Sequence, residues 1–233
     1  FFSIRCVSGT DFEQFRKDDF VKTYGGIVES DLDANGLKTE TTDLIRRRWL
    51  DNNFYVLNAS LNYQSTDLNM TFSSLYSTYS GDHFGEVIWA RQFGKNASIR
   101  DRFYEGNGRK TDISIFIKAS YLLNEKTELY GDLQFRNLAY KTIGLTSDLV
   151  NMVIYQSYSF FNPKFGLSFK LNSDSILYGS YSRANREPSR SDYESNPNIK
   201  PEQLNDFELG WRYRKNGLKL NLNSYYMLYN EQL

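Results

Sequence analysis

The residues with the greatest capacity for chemistry are few and scattered. The single histidine, His83, sits in Gly81-Asp82-His83-Phe84-Gly85-Glu86. A histidine between carboxylates has the makings of a surface hydrolase, yet such a site needs several convergent acids around a poised base, which spacing alone does not provide. The expected roles of Asp82, His83 and Glu86 are therefore ligand contact or loop structure, and no enzyme activity is expected. One histidine and one cysteine, Cys6, lie too far apart in sequence for zinc-type spacing, and a lone cysteine leaves the redox compartment open. Asp31, Asp33 and Asn35, followed by Gly36, fit the opening of a calcium loop. Its twelfth position is Thr42 where a bidentate Glu is required, so a plain turn competes with a weak calcium site. Gly106 to Lys110 lack the strand–turn–helix setting of a phosphate loop. No cofactor is expected.

A second cluster is richer. Arg183, Arg186 and Arg190 alternate with Glu187, Asp192 and Glu194, and Tyr193 lies among them. Guanidinium forks suit carboxylate, catecholate or phosphate groups on a ligand. They equally suit ion pairs that tie a loop to a neighbouring strand, a reading favoured by the opposite charges close at hand. Aromatic residues in the long connections (Phe84, Trp89, Tyr104, Tyr155 and Tyr193) have the flat faces needed to stack on a chelate or a sugar.

The elements that must position these groups read as strands. Alternating runs recur at about 54–65, 68–80, 111–123, 127–139, 158–171, 175–184, 207–215 and 218–229, each of about 9–14 residues where soluble strands average five or six. A strand tilted across a bilayer needs about 9–11 residues. Short connections built from turn formers, such as Asn216-Gly217, alternate with long ones at 81–110, 140–157 and 185–206. Short turns at one end and long loops at the other are the layout of an outer-membrane barrel. Residues 1–53 read mainly as an extracellular loop and hairpin, and the rest as about eight antiparallel strands of one domain, 1–233.

Charge parity sharpens this reading. In the five clearest strands Asp112, Lys118, Glu128, Asp132, Arg136, Lys164, Lys170, Glu208, Arg212, Arg214 and Lys219 all fall opposite the apolar parity. That parity holds Ile113, Ile115, Ile117, Leu129, Leu133, Phe135, Phe165, Leu167, Phe169, Phe207, Leu209, Trp211 and Leu218 to Leu222 in steps of two. A basic side chain facing lipid at the midplane costs about 2–4 kcal/mol, so strict segregation is expected there. The polar parity, with Lys118, Asp132, Arg136, Lys164 and Arg212, is expected to face an aqueous lumen. Basic and acidic residues balance at 28 each, which leaves no bulk charge for nucleic acid, and Arg46 to Arg48 beside Trp49 suit a membrane girdle better than a base-stacking platform. Aromatic content reaches 16% while mean hydropathy is only −0.59, as expected when half of every strand is polar.

Tyr178 to Glu194 and Ile199 to Leu233 resemble the C-terminal half of the barrel of TonB-dependent outer-membrane receptors. Asp11 to Asp19, Asp43 to Tyr55 and Tyr79 to Arg91 are similar to loop and strand segments of the same family, particularly its Bacteroidota-type members. The resemblance implies a Gram-negative outer-membrane barrel of about 22 strands around an N-terminal plug. It also implies uptake of a scarce ligand, above all an iron chelate, with acyl lipid and the TonB energising complex as partners. Plug and TonB-contacting segments are not found, so a barrel fragment is expected. A small eight-stranded barrel with an adhesive or structural role, and a soluble glycan-binding β-sandwich, are the alternatives. The sandwich requires a second protein layer over the apolar parity, and the small barrel requires its strands to close on themselves.

Overall fold

The computed structural model describes residues 2–16, 41–91 and 98–233. Nine strands, β1 (Phe2–Arg16), β2 (Thr41–Gln64), β3 (Leu68–Ala90), β4 (Arg102–Asn124), β5 (Thr127–Leu145), β6 (Asn151–Asn172), β7 (Ser175–Arg186), β8 (Glu202–Lys215) and β9 (Leu218–Asn230), account for nearly all of it. One short helix, α1 (Arg190–Ser195), lies between β7 and β8. The strands form a single sheet in chain order, β1 to β9, with antiparallel ladders. Among the described residues no second sheet covers it, contrary to the sandwich, and the order ends at two edges, contrary to a self-closed small barrel.

The tight turns fall where turn formers occur. Asn216 and Gly217 have φ of 48° and 82°, the double left-handed geometry of a two-residue hairpin. The opposite ends differ from expectation. β3 continues to Ala90 and β4 begins at Arg102, so most of 81–110 is strand. The connection 140–157 contracts to 146–150, where Thr146 Oγ1 accepts from the backbone N–H groups of Asp148 and Val150, each at 3.2 Å. The connection 187–201 remains a loop and carries the helix. β1 and the first part of β2 pair over residues read as loop and hairpin. These outer stretches mix polar and apolar residues on both parities, so no period-two signal announces them; pairing with neighbours fixes them instead.

Two compact units divide the chain. The first comprises 1–55, 78–110 and 140–156, the second 56–77, 111–139 and 157–233. In the first, Leu44, Phe84, Val87, Tyr104, Met152 and Ile154 are buried, as in an ordinary hydrophobic core. In the second the pattern inverts. Leu209 is 70% exposed, Leu222 62% and Phe135 50%, while Asp112 and Ser114 are only 9% and 7% exposed. Every large aliphatic residue of the apolar parity from Ile113 to Ile117 and from Leu218 to Leu222 is exposed. Pro163, which has no donor, lies just outside the β6–β7 ladder, whose pairing starts at Lys164.

Candidate ligand-facing site

On the polar parity of the second unit, the centre of organisation is Arg136 of β5. Its Nε donates to Oδ1 and Oδ2 of Asp112 on β4 at 3.1 and 2.9 Å. Its Nη1 and Nη2 donate to Oε2 and Oε1 of Glu187 at 2.8 and 2.9 Å. Both carboxylates therefore meet the guanidinium in paired fashion, the strong geometry for this ion type. The strands dictate this. Asp112 and Arg136 share a face because each is an even step from its neighbours on that parity, and Glu187 follows the last residue of β7. The clamp holds the start of the 187–201 connection against β4 and β5.

The rest of that connection is fastened by the same logic. Ser189 caps α1, its Oγ accepting from Asp192 N–H while the Asp192 carboxylate accepts from Ser189 N–H at 2.7 Å. This backbone hydrogen bond holds the Asp192 carboxyl below the ordinary aspartate range. Tyr193 is buried, and its hydroxyl pairs with that of Tyr158, whose ring stacks on Phe160 at 5.6 Å. Arg190 Nε bonds Glu194 at 3.2 Å, and Arg186 approaches Glu202 at 3.9 Å. Arg183 bonds a neutral partner, its Nε donating to Asn205 Oδ1 at 3.1 Å. The arginine cluster thus follows the ion-pair reading for Arg186 and Arg190, whereas Arg183 departs from it.

A relay of uncharged side chains crosses six strands. Gln134 donates to Ser114 Oγ at 3.0 Å and accepts from Asn162 at 3.0 Å; Asn185 donates to Asn162 at 2.8 Å and accepts from Gln203 at 3.1 Å; Asn230 donates to Gln203 at 3.5 Å. Gln134, Asn162, Asn185 and Gln203 each use the carbonyl toward one neighbour and the NH₂ toward the other, so few of their polar atoms are orphaned. Neither the relay nor the Arg136 clamp is predictable from spacing, because their members lie 18 to 51 residues apart.

The first unit separates the residues of the His83 segment. Tyr79 Oη lies 2.9 Å from His83 Nε2 and donates to Asn52 at 2.8 Å. Asp82 accepts from Asn107 at 2.6 Å, and Glu86 accepts from Trp49 Nε1 at 3.1 Å. Three different partners thus engage Asp82, His83 and Glu86. Phe84 stacks on Trp49 at 6.2 Å and lies under the Arg102 guanidinium at 3.8 Å. Tyr104 is buried. Trp89 and Tyr155 are exposed, Tyr155 with the Lys141 ammonium 5.0 Å from its ring.

Of the polar parity named above, Asp132 accepts from Tyr130 Oη at 3.3 Å and Arg212 lies 4.5 Å over the Tyr178 ring, while Lys118 and Lys164 are exposed. Asp31, Asp33 and Asn35 lie outside the described residues. Among the described residues no group of three His, Cys, Asp or Glu side chains is arranged to hold a metal ion.

A family model described as "TonB dependent receptor-like, beta-barrel" matches residues 8–233. Among solved structures, the chain is similar to the ferric citrate transporter FecA in its unliganded form (TM-score 0.58, 14% identity), covering 82% of this chain and 29% of that one. It is similar to the copper transporter OprC (0.57, 13%), covering 79% and 30% respectively. The ferric-catecholate import receptor Fiu from K12 E. coli is a further neighbour (0.50, 12%), with 82% and 32% covered. The chain therefore spans about a third of the length of the solved chains it matches. No curated protein sequence matches.

Proposed function

Because this chain belongs to the TonB-dependent receptor β-barrel family, we propose that it is the strand-rich part of a Gram-negative outer-membrane receptor for active uptake of a scarce chelate, foremost an iron–siderophore. The carrying observation is the inverted polarity of the second unit: exposed aliphatic residues on one parity, and a hydrogen-bonded, charge-bearing surface on the other. Such a sheet is stable with acyl chains on its oily side and water on its other side. The polar parity with Lys118, Asp132, Arg136, Lys164 and Arg212 then faces the lumen.

Within the first unit, the exposed Trp89 and Tyr155, the latter with the Lys141 ammonium 5.0 Å from its ring, offer aromatic and cationic contacts of the kind an anionic metal chelate takes. The TonB complex would act through a plug upstream of the residues in hand. The names of the three solved neighbours, a copper transporter and two ferric-chelate receptors, favour chelates over glycans as cargo.

The test is growth and radiolabelled-iron uptake by a strain lacking the whole gene, supplied with a panel of ferric chelates under iron limitation. Loss of uptake for one chelate class, abolished equally when the energising complex is disabled, is the expected result. Undiminished iron uptake together with lost growth on an oligosaccharide would overturn the ligand class.

A further inference from the structure

The oily face of the second unit is not uniform. Along β7 its side chains read Leu177, Gly179, Tyr181 and Arg183, opposite Trp211, Leu209, Phe207 and Asn205 of β8. Gly179 opens a gap in a row of large residues, and the gap is the floor of an apolar groove of about 700 Å³ walled by Leu167, Phe169, Leu177, Leu209 and Trp211. That volume lies in the range of ligand-sized clefts, about 300–1,000 Å³. The Trp211 ring is pinned by its Nε1–H bond to Ser175 Oγ at 2.6 Å, so this wall is fixed. Leu209 is the movable one: a methyl group on Gly179 would meet Leu209 Cδ2 at 3.1 Å.

Four residues further along β7, about 13 Å at the usual strand rise, stands Arg183. Among the described residues it has no ion-pair partner. Tyr181 Oη and Arg183 Nε share the Asn205 carbonyl at 3.0 and 3.1 Å, which aims the guanidinium without neutralising it. Arg136, Arg186 and Arg190, by contrast, each have a carboxylate. Between cation and groove lies an aromatic step, Tyr181 against Phe207 at 5.0 Å. The order along the surface is thus cation, aromatic belt, apolar groove, running from the long-connection end of β7 toward its short turn. That is the order of a lipid: anionic head, interface, acyl chain.

We propose that the outward face of β6 to β8 is a specific lipid site, which seats an acyl chain over Gly179 and holds the phosphate of an outer-leaflet, multiply acylated lipid at Arg183. The inference rests on the outer-membrane reading above. Its groove is continuous with the lipid-facing parity, and Arg183 supplies the charge complementary to a phosphate.

The experiment uses the full-length receptor extracted from outer membranes in mild detergent. Native mass spectrometry then counts retained lipid after addition of lipid A or, as the comparator for lipid source, phosphatidylethanolamine. Wild type should retain lipid A in preference. Gly179→Leu, which fills the groove, and Arg183→Gln should each lower retention several-fold. Gly131→Leu on the same apolar parity, beside Phe165 and outside the groove, should leave retention unchanged. Where Gly179→Leu fails to insert, Gly179→Ala serves, since its methyl displaces only the Leu209 tip.

Equal retention by wild type and the Gly179 variant, in a receptor recovered from the outer membrane, overturns the lipid site and leaves the transport reading standing. Equal retention of both lipids marks an unselective oily surface and also overturns it. A wild-type receptor absent from the outer-membrane fraction would overturn the membrane reading along with the site.

Discussion

The two units of this chain use the same backbone pairing and opposite side-chain economies. In the first, Leu44, Phe84 and Ile154 withdraw from solvent, and the cation–aromatic contacts of Arg102 and Lys141 dress the surface. In the second, leucines and phenylalanines are exposed on one parity while Asp112, Ser114 and Asn162 are buried. The difference shows that strand pairing does not itself determine which side chains hide. In the proposed membrane setting the surrounding medium does: burial of apolar surface from water stabilises the first arrangement, whereas hydrocarbon around the second would remove that drive and penalise charge instead.

Each half of this comparison is open to attack. Leu44 is fully buried, so Leu44→Ala should cost about 2–5 kcal/mol, read as faster hydrogen exchange across β2 and β3 of the intact receptor. An unchanged exchange rate would mean that the first unit has no working core. Ile115→Arg on the exposed parity of β4 should cost about 2–4 kcal/mol in refolding titrations into bilayers, against near neutrality for Lys118→Arg on the opposite parity. Comparable costs on both sides would abolish the lipid–lumen distinction.

Arg136→Met tests the polar parity itself. It leaves two partly buried carboxylates facing each other without their cation, and about 2 kcal/mol of local stability should be lost, with the 187–201 connection exchanging faster than β5. The smallest effect concerns the helix cap. The Asp192 carboxyl is held below its ordinary range, so its contribution is present above the unfolded value near 3.9 and is lost as pH falls through the folded one. The protection factor of the Ser189 amide, corrected for intrinsic exchange, should therefore be steady from neutral pH to about 5 and fall only in stronger acid; a fall centred on pH 6 to 7 would exclude this carboxylate as the cause.

Much of the fold was legible beforehand. Period-two alternation between Thr111 and Leu123 or Phe161 and Leu171 has one structural meaning, and Asn216-Gly217 has one turn geometry, so the turn-side ends of these strands, at Asn124 and Asn172, agree with the sequence to within a residue. The outer stretches were not legible. Residues 81–90 and 102–110 mix polar and apolar residues on both parities, and pairing with neighbours makes them strands. The loop residues were legible as chemical types and not as partners: Glu187 was a ligand candidate on charge, yet it completes a clamp 51 residues away from Arg136.

By itself, then, the sequence determined the parity of charge, the length of the alternating runs and the position of each tight turn, since these are local consequences of side-chain direction along an extended backbone. Tertiary structure alone decided which charges neutralise one another, how far the strands run beyond the alternation, and that Arg183 lies beside an amide while Arg136 is enclosed by two acids. Those outcomes depend on register between strands far apart in the chain, and register is a property of the assembled sheet.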